Sequence, residues 1–122
     1  MIAFESAVQL AERIRNKDIS SRELTELYIQ RIEKYDDQIN AVVVRTFEEA
    51  RAAADAADAA LARGESFGSL HGVPMSIKES YVIEGTSTTW GVAAFRNNIA
   101  GADGLAVQRF KAAGAHFLGK TN

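Results

Sequence analysis

The stretch Leu70–Ser80, Leu-His-Gly-Val-Pro-Met-Ser-Ile-Lys-Glu-Ser, ends its apolar alternation on a lysine. Val73, Met75 and Ile77 alternate as in a half-buried strand, with Gly72 and the chain's single proline at its entry. Burial disfavours an ammonium, and a lysine made to give up its proton can act as a general base. A lysine at a strand exit can also run its stem along apolar surface and leave its amine in water. Ser76 stands two residues before Lys78, so a strand puts both on one face. Serine beside lysine is a nucleophile–base pairing; a small serine bonded near a turn fits the position as well.

Other residues invite chemistry less directly. Thr86, Ser87, Thr88 and Thr89 follow Gly85. Such a run can offer amides and hydroxyls to an anion or carbonyl oxygen, or satisfy its own loop backbone. Trp90 beside Gly91 reads as a core aromatic or a pocket wall. His71 and His116, the only histidines, have no metal-ligand spacing. The terminal Gly119-Lys120-Thr121 resembles the tail of a phosphate-binding loop but lacks the earlier glycine and a following helix. Glu48, Glu49, Asp55 and Asp58 read as the solvated face of a helix.

The elements that must position these residues follow from periodicity. Helical spacing of Phe4, Ala7, Ala11 and Ile14 predicts a first helix over 4–16. Ser20 with Glu23 is a capping-box pattern, and Leu24, Leu27, Tyr28, Ile32 and Tyr35 continue it as a second helix to about Asp36. Asn40–Arg45 is β-branched and reads as a strand. Thr46 with Glu49 predicts another capping box, opening a long alanine-rich helix with Ala50, Ala53, Ala57 and Ala60 on one face and Gly64 as its stop. Beyond Val73–Lys78, Asp103 is expected to cap a helix carrying Ala106, Val107, Phe110 and Ala113, ended by Gly114. Ala115–Asn122 is a final strand. Strand, long connection, helix, strand implies α/β architecture with parallel pairing. We read residues 1–122 as one partial domain: 1–63 mainly helical, and 64–122, which holds all nine glycines, the start of an α/β core. An apolar last strand without a polar tail suggests part of something longer.

Composition excludes several classes. With 14 basic against 16 acidic residues, the net charge of −2 argues against a nucleic-acid binder. There is no cysteine, hence no disulfide and no thiolate chemistry. That fits a cytoplasmic protein. No apolar run approaches a membrane span, and the N-terminal residues do not form a secretory signal.

Gly-Val-Pro-Met-Ser-Ile-Lys-Glu-Ser, then Gly-Thr-Ser-Thr-Thr-Trp-Gly, then Ala-Gly-Ala-His-Phe-Leu-Gly-Lys-Thr-Asn occur in this order and at these intervals. Together with the first helices, they resemble the amidase-signature family over essentially the whole chain. The resemblance implies the N-terminal part of an α/β/α sandwich with a mixed sheet. It also implies a serine hydrolase that cleaves the C–N bond of a small-molecule carboxamide through an acyl-enzyme, with no metal or organic cofactor. The family's triad is Ser–cis-Ser–Lys, and Lys78 occupies the position of the lysine base. Both serines would lie downstream of Asn122, so this chain alone is expected to be inactive. Ser76, Ser80 and Ser87 do not match them. Glu79 stands where an aspartate is common. Thr88, Thr89, Trp90 and Gly91 match a segment near the active site, as loop support or pocket wall. Asp103 matches a capping aspartate, and Lys120, Thr121 and Asn122 a strand end near the catalytic face with a structural role. Two alternatives stand beside amide hydrolysis: part of a transamidating (amidotransferase) assembly, or a non-catalytic module that self-associates through an unfinished sheet edge.

Overall fold

The computed structural model describes all residues from Met1 to Asn122. After a short 3-10 turn at Ile2–Phe4, the chain forms helices α1 (Ala7–Arg15) and α2 (Ser21–Tyr35), strand β1 (Val42–Arg45) and helix α3 (Phe47–Ala62). Strand β2 (Pro74–Lys78), helix α4 (Leu105–Ala112) and strand β3 (His116–Thr121) complete it. The sheet order is β1-β3-β2. β2 runs parallel to β3 and β1 runs antiparallel to it, so the sheet is mixed. The β2–α4–β3 passage is the crossover that parallel pairing demands. No helix is long and apolar enough to cross a membrane.

The central strand is packed on both faces. Phe117 joins Ile77, Ile83 and Val107 on the α4 side, whereas Leu118 meets Ile29 of α2 and Ala50 of α3. A third cluster of Leu10, Ala11, Ile14, Leu24 and Val73 joins α1 and α2 to the entry of β2. Gly119 lets β1 come close: a Cβ there would strike the Val44 carbonyl. Gly64 adopts φ +76° just beyond α3, where a side chain would be strained.

Several local expectations give way to better partners. The first helix starts later than residue 4, because Ser6 and Gln9 form a capping box that sets its beginning at Ala7; Phe4 is left exposed. The Ser20–Glu23 box forms. The Thr46–Glu49 box does not: the Thr46 hydroxyl donates to the Phe117 carbonyl (2.7 Å), tying α3 to the central strand. Asp103 does not cap α4, whose N-cap is Gly104. Its carboxylate accepts instead from the Glu84 amide (2.8 Å) and the Lys111 ammonium (2.7 Å). On α3 the buried stripe is Ala50, Ala54, Ala57 and Ala60, so Ala54 takes the place expected for Ala53. Asp58 is not merely solvated, since it accepts from the Ser21 and Arg22 amides and caps the start of α2 across the helix pair.

Two histidines serve packing. His71 accepts the Phe67 amide at Nδ1 (2.8 Å), which leaves the proton on Nε2 to be donated to the Ala57 carbonyl (2.8 Å). His116 Nε2 meets the Thr25 hydroxyl at 2.9 Å inside the core. Burial lowers the His116 pKa to about 4, with the charge of Asp58 pulling weakly the other way. Between that value and the ordinary one near 6.5 the unfolded chain binds a proton that the folded chain refuses. Stability is therefore expected to fall by roughly 3 kcal/mol as pH drops from about 6.5 to about 4. Urea unfolding across that window checks this, and His116→Gln should flatten the slope there.

Candidate active site

Lys78 ends β2, directly opposite Thr121 at the end of β3. Ile77 points into the α4 cluster, so its neighbours Ser76 and Lys78 turn to the opposite face, where both are exposed. The Lys78 ammonium has no hydrogen-bond acceptor and no carboxylate within ion-pair distance. Within these residues the strand exit leaves the amine free, as the snorkelling alternative has it. Ser76 and Lys78 share a face without a hydrogen bond between them.

The lysine that burial encloses is Lys120. It is fully shielded from water on the central strand. Its ammonium donates to the Ser87 carbonyl (2.9 Å), the Thr88 hydroxyl (3.1 Å) and the Thr86 hydroxyl (3.3 Å), and stands 3.8 Å from the Glu79 carboxylate. Three donors thus meet three oxygens, with a counter-charge beside them, which is what a buried ammonium requires. Burial pulls the Lys120 amine below its usual range, and Glu79 offsets part of that. Burial pushes the Glu79 carboxyl up, but the Thr89 amide and hydroxyl and the Lys120 charge outweigh it and leave it lowered. Two hydroxyls of the run, those of Thr86 and Thr88, therefore face an internal cation, while that of Ser87 donates to the Arg96 carbonyl and that of Thr89 to Glu79. One sequence signal points to this lysine: β3 is apolar on consecutive positions, the mark of a strand covered on both faces.

Glu79 links this network to the next loop. It accepts from the Thr89 amide (2.7 Å) and hydroxyl (2.8 Å), while the Thr89 hydroxyl also accepts the Gly91 amide (3.1 Å). The Val92 amide bonds the Thr89 carbonyl (2.9 Å), closing a turn over Trp90 and Gly91. Within residues 1–122 Trp90 does not join the core: 73% of it is exposed. Thr89 is therefore held by Glu79, the sequence neighbour of Lys78, and Thr88 by Lys120, while Trp90 and Gly91 form the tip beyond them.

The family model described as Amidase matches residues 23–122. The chain belongs to the amidase family. A subunit of the glutamyl-tRNA(Gln) amidotransferase of Moorella thermoacetica is 42% identical over 117 residues, covering 96% of this chain and 24% of that protein. An acylamidase of Rhodococcus erythropolis is 37% identical over 119 residues, again 96% of this chain and 24% of the relative. Among solved structures, a bacterial aryl acylamidase of the amidase-signature enzymes superposes with a TM-score of 0.90 at 32% identity, covering 98% of this chain and 25% of that one. A chain from a vestigial protein complex, described for the origins of an s-triazine catabolic enzyme, gives 0.92 at 41% identity over 97% and 26%. The amidase segment thus spans about a quarter of the length of the curated relatives it matches. Its mixed sheet and flanking helices are the corresponding part of the amidase-signature α/β fold.

Proposed function

We propose that this segment supplies the general base, Lys78, to an amidase that hydrolyses a linear carboxamide, and that the two serines of the triad lie beyond Asn122. The observation that carries the reading is the unpaired ammonium at the joint C-terminal end of two parallel strands. In open α/β sheets that is where ligands bind. Lys78, as the neutral amine, takes a proton, relayed through one serine, from the hydroxyl of the other, and becomes the ammonium. The freed oxygen bonds the carbonyl carbon, and the C–N bond breaks as the proton returns along the same path to the departing nitrogen. Water then attacks the acyl ester, gives its proton to the relay, and releases the carboxylic acid with the serine restored. No metal or organic cofactor enters these steps.

A second reading is favoured by the relatives of about 42% identity, which are subunits of glutamyl-tRNA(Gln) amidotransferases. There the same base would release ammonia from an amide for transfer to another acyl group instead of discarding it. The first half of the chemistry is shared.

Labelling the full-length enzyme with a fluorophosphonate, a reagent for activated serines, tests the proposal. The label is expected on a serine beyond Asn122, and its rate is expected to drop in Lys78→Ala. The 122-residue chain alone should neither label nor turn over small aryl and alkyl amides. Labelling of Ser76 would overturn the assignment of the nucleophile.

A further inference from the structure

The Thr89–Val92 turn carries its tryptophan against both local and burial energetics. Trp90 has φ +55° and Gly91 φ +76°, so both central residues are left-handed, as a type I′ turn requires. Asn, Asp or Gly suits the first of these positions, and a bulky residue there is strained. Among these residues burial does not repay the strain: 73% of the indole is exposed. The cost is borne by what lies beneath the turn. Glu79 holds Thr89 by two hydrogen bonds, and Thr89 in turn accepts the Gly91 amide. Lys120 holds the two preceding residues, through Ser87 and Thr88, and sits beside Glu79. A fully buried lysine and a nearly buried glutamate are therefore committed to fixing a loop whose tip offers a flat aromatic surface to the outside. Strain supported in this way is characteristic of binding sites.

Building on the proposed amidase function, we propose that Trp90 is a specificity-determining contact for amides bearing an aryl or other flat apolar group, and that Lys120 and Glu79 are the positioning residues that hold it in place. An indole face stacks such groups and gains little from a short alkyl chain. The charged pair lies beneath the turn and touches no substrate.

Two measurements test this. Trp90 is the only tryptophan, so its near-ultraviolet circular dichroism and its single indole N–H resonance report the turn in the 122-residue chain. Glu79→Gln and Thr89→Val should each weaken the dichroism band and shift or broaden the resonance while far-ultraviolet spectra stay native. Unchanged signals in both variants would overturn the clamp. In the full-length enzyme, Trp90→Ala should raise KM for aryl amides about 3- to 10-fold, the worth of an aromatic contact, with kcat and short alkyl amides little affected. An unchanged aryl-to-alkyl preference, or a loss of thermal stability without the KM shift, would overturn the contact and assign Trp90 to packing. Lys78→Ala separates the two ideas. Turnover that survives it removes the amidase mechanism, whereas turnover abolished by it with preference unchanged in Trp90→Ala removes the stacking contact alone.

Discussion

Replacing Lys120 by methionine is expected to destabilise the chain by about 3–5 kcal/mol, the cost of breaking a buried charge pair from one side. Methionine fills much of the volume but donates to none of the three oxygens. The Ser87 carbonyl and the Thr86 and Thr88 hydroxyls lose their donor, and Glu79 keeps its charge without the cation 3.8 Å away. Arginine offers no rescue, because its planar fork is larger than the compact ammonium for which these oxygens are arranged. Urea unfolding measures the loss. A double-mutant cycle with Glu79→Gln should return a coupling well above the few tenths expected of independent sites. A Lys120→Met chain within about 1 kcal/mol of the parent would show that the network is not a stabilising element.

The other lysine is expected to behave in the opposite way. Lys78→Ala should leave stability within about 0.5 kcal/mol, because an exposed and unpaired side chain is removed. In the full-length enzyme the same change should lower turnover by about 100- to 10,000-fold, the range over which a positioned general base contributes. Denaturation of the 122-residue chain and steady-state assays of the full-length enzyme decide the two halves. Loss of stability with activity kept would reverse the roles assigned to the two lysines. The contrast has a simple origin. Lys78 leaves an edge strand at its end, where the chain provides no acceptors, whereas Lys120 lies on the central strand and must find all its partners inside.

Much of the scaffold follows from residues close together in sequence. The alternation Val73–Lys78 states which side of β2 is apolar, and so puts Ser76 and Lys78 together on the other. Ser20 and Glu23, three residues apart, make the box that begins α2. Gly64 ends α3 because no other residue adopts its backbone conformation at so little cost. Where sequence reading missed, a distant partner outcompeted a near one. Thr46 abandons the box with Glu49 for a carbonyl 71 residues away, and Asp103 leaves the helix start for Glu84 and Lys111. The threonine run could be recognised as a set of hydroxyls, but nothing nearby named the ammonium that two of them serve.

From the sequence alone came the α/β order of elements, the strand that ends on Lys78, and the motifs of the amidase-signature family, since each rests on spacing along a few turns or a single strand. Tertiary structure alone decided that β3 lies between β1 and β2, that its lysine is therefore sealed from water, and that Glu79 and Lys120 converge on one loop. The reason is the range of the forces. Periodicity and capping act among residues within about four positions of one another. The desolvation that makes a charge demand partners depends on what packs around it, and that is unknown until the sheet has formed.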